Sequence, residues 1–122
     1  MAIRQHIEYD GKKYSGYTDL GPDINCDFGT IAKEALVFLV NCINKSWKIP
    51  IGYFLISGIN AEQKANLVKQ ALIALHEHGI NIVSVTFDGA PANLSMCTIL
   101  GCNFINATSF QTYFSHPTTG KK

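Results

Sequence analysis

Two aspartates, Asp19 and Asp88, each stand where a strand-like run gives way to a turn. Asp88 closes the almost unbroken apolar run Ile80–Phe87 and is followed by Gly-Ala-Pro-Ala-Asn. Such a β-branched run has the composition of a strand buried on both faces, which in open α/β sheets is a parallel one. Ligands and catalytic groups gather at the carboxyl ends of such strands, where a side chain faces solvent while its backbone stays anchored. Asp19 ends the shorter run Lys13–Asp19. If these two runs are parallel neighbours, the carboxylates lie side by side and repel, unless a hard divalent cation with oxygen ligands, Mg²⁺ or Mn²⁺, holds them together. Metal-assisted phosphoryl transfer is the chemistry that such a pair serves. The competing reading makes Asp88 a turn residue, with its carboxylate bonded to the backbone of an Asx turn ahead of a helix.

The elements that must position these groups follow from periodicity and punctuation. Ile3, Gln5, Ile7 and Tyr9 alternate with Arg4, His6 and Glu8, the two-residue period of a strand. Asp10-Gly11 turns the chain back into Lys13–Asp19, because glycine accepts the positive φ of a tight hairpin turn. Leu20-Gly21-Pro22 breaks that run, and residues 21–32 read as a surface loop. Asp23, Asn25 and Asp27 alternate within the loop, but glycine and glutamate are missing from the offsets that a calcium loop needs. Two further strands are expected, Glu34–Ile43 and Ile49–Ser57, with Pro50 confining the start of the latter to an edge or an unpaired position. A helix over Ala61–His78 has Asn60 and Gln63 as a capping box, an apolar face of Leu67, Val68, Ala71, Leu72 and Leu75, and Gly79 at its end. Lys64 and Lys69 fall off that face and read as solvated. After Ile80–Phe87, a last helix opens at Pro91 and closes at Gly101. Three antiparallel strands, a crossover helix and a parallel strand make an α/β fold with one mixed sheet.

Composition narrows the function classes. A 122-residue chain that is 47% hydrophobic is one domain at most and can build a core, and 10 basic against 9 acidic residues is no strongly basic nucleic-acid arm. Charged residues make up 16%, low against the usual quarter or so, so part of the surface is expected to lie against partner segments. Met1-Ala-Ile-Arg-Gln-His lacks the apolar core of a secretory leader and no apolar run approaches a membrane span, giving an expectation of a cytosolic or nuclear setting and no membrane. Cys26, Cys42, Cys97 and Cys102 sit in apolar surroundings and read as small buried thiols. Neither Cys97 with Cys102 nor His76 with His78 has zinc-finger spacing.

Five short motifs, taken in order, carry a resemblance. They are Ile3-Arg4, Glu8-Tyr-Asp-Gly, Gly16-Tyr-Thr-Asp-Leu-Gly, Pro50-Ile-Gly-Tyr-Phe and Val85-Thr-Phe-Asp-Gly-Ala. Their order and spacing over nearly the whole chain resemble the P-element-type DNA transposases, including the THAP-domain proteins derived from them. The resemblance implies the N-terminal part of an RNase H-like catalytic domain, spanning residues 1–122. In that family two aspartates and a distant glutamate bind two metal ions, which activate water or a DNA 3′-hydroxyl for attack on a phosphodiester. By this resemblance Asp88 matches the second aspartate and Asp19 best matches the first, both as catalytic and metal-binding residues with Mg²⁺ or Mn²⁺. The family also shows Asp-Glu-Met just ahead of the Ile-Arg pair, so the first acid is either Asp19 or a residue upstream of Met1, with Asp10 a weaker choice.

The resemblance further implies transposon-end DNA as partner, oligomerisation and a nuclear location for the full-length protein. GTP would bind there through an insertion without a counterpart in this chain. The family's glutamate follows that insertion, and its zinc-coordinating DNA-binding domain is also missing. The expectation is a fragment with an incomplete site, inactive alone. A domesticated descendant that keeps the fold as a DNA- or protein-interaction module is the alternative, and the downstream glutamate discriminates the two. An unrelated domain in which Asp88 accepts a phosphoryl group would need a strict β-α alternation that the run of early strands lacks.

Overall fold

The computed structural model describes residues 1–21 and 29–122, so Cys26 and the Asp23, Asn25 and Asp27 alternation lie outside the described residues. The chain divides into two compact units, Met1–Gly58 and Ile59–Lys122.

In the first unit the Asp10-Gly11 turn forms as the sequence demands. Strands β1 (Glu8–Tyr9) and β2 (Tyr14–Ser15) pair antiparallel, with Glu8 opposite Ser15 and Tyr9 opposite Tyr14. One carboxylate oxygen of Asp10 accepts from the backbone N–H groups of Lys12 at 2.8 Å and Lys13 at 2.7 Å, and Gly11 takes φ +92°. Those donors, Lys13 first, hold the Asp10 carboxyl below its ordinary value of 3.8. The rings of Tyr9 and Tyr14 stack 4.6 Å apart on the exposed surface of the hairpin. Both strands are shorter than their alternation suggests. Around Gly16 (φ +109°) the chain instead packs against the backbone of His6 and Ile7, so closely that a Cβ there would collide with the His6 carbonyl.

Strands β3 (Glu34–Asn41) and β4 (Lys48–Ile56) form the longer antiparallel pair, close to the expected ranges. Their register runs from Glu34 opposite Ile56 to Phe38 opposite Gly52, then steps so that Leu39 faces Pro50 and Ile51 is the extra, bulged residue. Proline cannot donate to a ladder, and a bulge is where a sheet absorbs that loss. Short bridges flank the pair: Ala2 to Glu34 on one side and Asp19 to Leu55 on the other. Leu20, Ala32, Ala35, Val40 and Ile56 are buried.

The second unit is helical. Helix α1 (Ala61–Glu77) opens on the expected capping box: Asn60 Oδ1 accepts from Gln63 N–H at 2.8 Å, and Gln63 Oε1 accepts from Asn60 N–H at 3.1 Å. Its Ala65, Leu67, Val68 and Leu72 are buried. It ends at Gly79, whose φ of +75° lets the Ile80 N–H return to the Leu75 carbonyl at 2.9 Å. Helix α2 (Pro91–Leu100) starts on Pro91, stops at left-handed Gly101 and packs on α1. Met96, Cys97 and Cys102 are buried.

One expectation about the fold is corrected. The chain is a mixed α/β structure, but the described residues form two separate two-stranded antiparallel sheets, β1-β2 and β3-β4. Ile80–Phe87 joins neither as a parallel strand. A strand buried on both faces needs ladder partners on both edges and layers above and below. Here Val83 is 67% exposed, Val85 39% and Phe87 37%, so the apolar composition of the run is present without the covering layers that would make it a central strand.

Two glycine substitutions separate the causes of hairpin stability. Gly16→Ala meets both a positive φ and the His6 carbonyl and should cost about 2 kcal/mol or more, whereas Gly11→Ala, with open space around it, pays the left-handed backbone alone at about 1 kcal/mol. Equal denaturation midpoints for the two variants would show that the close approach to His6 contributes nothing. The lowered Asp10 value makes its own test. The turn's contribution is complete above 3.8 and is lost as the pH falls through the lower folded value. Carboxyl-carbon NMR titration should therefore place Asp10 below 3.8, and an ordinary value would contradict the double backbone bond.

Candidate acidic site at the start of the second helix

Helix α2 begins with a deficit. Its N-cap is Ala90, which has no side-chain oxygen to offer the free N–H groups of the first turn, and Pro91 helps only by having no N–H of its own. Asp88 bonds just ahead of that turn, to the N–H of the N-cap residue and to a side chain of the first turn, and not to the turn's own backbone. Its Oδ1 accepts from the Ala90 N–H at 3.1 Å and from Asn93 Nδ2 at 2.7 Å, and its backbone carbonyl takes a longer contact from the same amide at 3.4 Å. The Asx turn weighed from sequence is thus present. Both protein donors fall on Oδ1, and no described residue donates to Oδ2. Asp88 is exposed, so Oδ2 is open to a ligand.

Asn93 is held in turn from α1. The Lys64 ammonium donates to Asn93 Oδ1 at 2.8 Å in a partly buried bond. An ammonium has no acceptor, so the amide must turn its oxygen to Lys64 and its NH₂ to Asp88. Lys64 was expected on a solvated face. It is instead half-buried, because 29 residues further on the chain brings Asn93 against it. Sequence reasoning missed both residues. The available signal was the five-residue spacing of Asp88 and Asn93 across a helix start.

Asp19 lies in the first unit. Its N–H donates to the Leu55 carbonyl at 2.8 Å and its Oδ1 accepts from the Gly21 N–H at 2.9 Å, with Gly21 at φ +85°. It too ends an edge contact in a side-chain turn and is exposed. Among the described residues no three His, Cys, Asp or Glu side chains converge to hold a metal. What fits a hard cation is a single ligand, the open Oδ2 of Asp88.

The other candidates carry no chemistry. A shallow apolar depression on β3-β4 is lined by Met1, Ala35, Val37, Pro50, Ile51 and Tyr53, with no carboxylate among them. His76 and His116 stack edge to face at 5.2 Å, but His116 Nδ1 accepts from the Thr118 and Thr119 N–H groups. That fixes the proton of the neutral ring on Nε2, opposite to what a metal at Nε2 requires. Cys97 and Cys102 are buried free thiols, as expected, whereas the free thiol of Cys42 is only half-buried. Burial pushes the Cys97 thiol up to about 11, with the neighbouring Cys102 adding to the shift, and burial also raises Cys102. Neither is a nucleophile at neutral pH.

The described residues thus give a small mixed α/β structure with an open carboxylate just ahead of a helix. Comparison with known proteins supplies the family. The chain belongs to the family described as TNP-like, RNase H N-terminal domain, which matches residues 1–101. It is similar to the DNA transposase THAP9 of Homo sapiens, at 25% identity over 125 residues that cover 100% of this chain and 14% of that protein. The chain therefore corresponds to the N-terminal RNase H-like part of a THAP-type transposase and spans about a seventh of that relative's length. No solved structure matches it. Among the described residues no helix is long and apolar enough to cross a membrane.

The thiol assignment predicts an order of reactivity. With an aromatic disulfide reagent at pH 8, peptide mapping should find Cys42 modified ahead of Cys97 and Cys102, which should react only on unfolding. Modification of Cys97 as fast as Cys42 in the native chain would contradict its burial.

Proposed function

We propose that this chain is the metal-binding N-terminal part of a transposase catalytic domain, with Asp88 as a ligand for Mg²⁺ or Mn²⁺ in DNA strand cleavage and transfer by a longer, nuclear protein. The observation that carries the reading is the division of the Asp88 carboxylate, with Oδ1 taken by Ala90 and Asn93 and Oδ2 open. A divalent ion at such a site supplies charge stabilisation at phosphoryl oxygens and lowers the pKa of a bound water or hydroxyl. The chain's own part is to aim one oxygen outward from a fixed turn. Asp19 is the second carboxylate on this reading, and the remaining acid comes from elsewhere in the longer protein. With one carboxylate of the set missing, the chain alone neither cuts nor joins DNA at a meaningful rate. DNA is the partner of the longer protein. GTP binding and oligomerisation are assigned to its other segments.

Binding should be weak, since such ions draw most of their ligands from water and substrate phosphate. Titration of Mn²⁺ should broaden the backbone amide signals around Asp88 and those around Asp19, and Asp88→Ala should abolish the effect around Asp88. Broadening centred on His76 and His78 with none near Asp88 would return Asp88 to a purely structural turn.

A further inference from the structure

We infer that the outer edge of β3, from Val37 to Asn41, pairs antiparallel with the same edge of a second copy of this chain. The inference is independent of the reading of Asp88, and the contact is additional to the oligomerisation assigned above to other segments of the longer protein.

The direction of the backbone groups along β3 is fixed at its two ends. Ala35 exchanges bonds outward with Met1, the Met1 ammonium donating to the Ala35 carbonyl at 3.0 Å and the Ala35 N–H to the Met1 carbonyl at 2.8 Å. At the far end the Cys42 N–H turns inward, to the Trp47 carbonyl at 3.0 Å. Odd positions therefore point away from β4 and even positions toward it, and the bulge does not disturb this alternation, because the extra residue, Ile51, is on β4. Val37, Leu39 and Asn41 thus turn their N–H and C=O groups outward, and no group among the described residues pairs with them there.

Free edges are ordinarily blunted by proline, a bulge, a lysine or a covering segment. The edge of β4 has such devices: Pro50 without an N–H, the bulge at Ile51, Lys48, and a bond from the Asp19 N–H to the Leu55 carbonyl at 2.8 Å. Beyond its bridge to Met1, the edge of β3 has none. Its sequence Val37-Phe-Leu-Val-Asn41 holds no charge, proline or glycine, and Val37 and Leu39 are 45% and 55% exposed.

A second copy is the occupant that this edge fits. With a two-fold axis at Leu39, Leu39 faces the partner's Leu39 and Val37 faces the partner's Asn41, so every outward group from Val37 to Asn41 is paired on both chains. The register also stops where it must. Ala35 is already occupied by Met1, and the position that would face it, 43, lies beyond the end of β3 at Asn41. One contact satisfies both open edges, and the blunted outer edges of β4 close the four-stranded sheet as a dimer instead of a fibre.

The test is sedimentation of the full chain from about 10 µM to about 1 mM, the range suited to a small interface, with amide exchange measured across the same series. Mass should rise toward that of two chains, and the Val37, Leu39 and Asn41 amides should gain protection with concentration, whereas the inward Phe38 amide is protected throughout. Leu39→Pro removes an outward N–H that the β3-β4 ladder does not use, and should weaken association about tenfold or more, since symmetry removes two bonds at once. Leu39→Lys, which sets like charges opposite each other across the axis, should act in the same direction. Tyr53→Lys alters the exposed face of β4 and leaves the edge intact, so association should persist. Protection of Phe38 in each variant reports that the ladder remains folded. A chain that stays monomeric throughout overturns the inference. So does protection of Val37, Leu39 and Asn41 that is independent of concentration, which means that another part of this chain covers the edge. Association lost in Tyr53→Lys but kept in Leu39→Pro places the contact on the sheet face and overturns edge pairing.

Discussion

Helix α2 starts on Ala90 and Pro91 without a side-chain cap, and the candidate site lies in the turn of Asp88 that leads into it. Asp88 accepts from the N–H of the N-cap residue Ala90, and Asn93 reaches back from within the helix to the same oxygen. Because both donors converge on Oδ1, a local requirement of the backbone fixes the direction of Oδ2. The turn reading and the ligand reading of Asp88 therefore do not compete. The structural bonds use one half of the carboxylate, and a hard cation needs only the other half.

The two helices connect this local device to the rest of the second unit. Leu67, Val68 and Leu72 of α1 and Met96 and Cys97 of α2 are buried, and packing of the helices holds Lys64 against Asn93. In the first unit, Asp19 sits at the end of a single bridge to Leu55, with its carboxylate bonded to Gly21. Large apolar side chains of β3 and β4, among them Val37, Leu39, Ile49 and Tyr53, remain exposed, in keeping with the low proportion of charged residues.

Local rules were the legible part of the sequence. The capping box at Asn60 and Gln63, the stop at Gly79, the Pro91 start and the Gly101 stop each depend on one or two residues, and each formed where read. The β3-β4 pair was legible from composition, whereas Pro50, expected at an edge or an unpaired position, stands opposite Leu39 within the pair and beside the bulged Ile51. Ile80–Phe87 misled because an apolar β-branched run states that a segment can be buried, whereas becoming a strand depends on partners that local pattern cannot supply. Lys64 was unreadable for a related reason. A lysine off the apolar face of a helix looks solvated until a second helix brings an acceptor to it. Family membership was legible from the order of five short motifs, none of them specific alone.

The central claim is that Asp88 presents one committed and one open oxygen. A crystal structure of the chain soaked with Mn²⁺, with anomalous scattering used to locate the ion, tests it most directly. The account predicts Mn²⁺ at about 2.1 Å from Asp88 Oδ2, the distance of small divalent cations from carboxylate oxygen, with Oδ1 still bonded to Ala90 and Asn93. An ion bound through both oxygens with the Asn93 contact broken, or an ion at another site with none at Asp88, would contradict it.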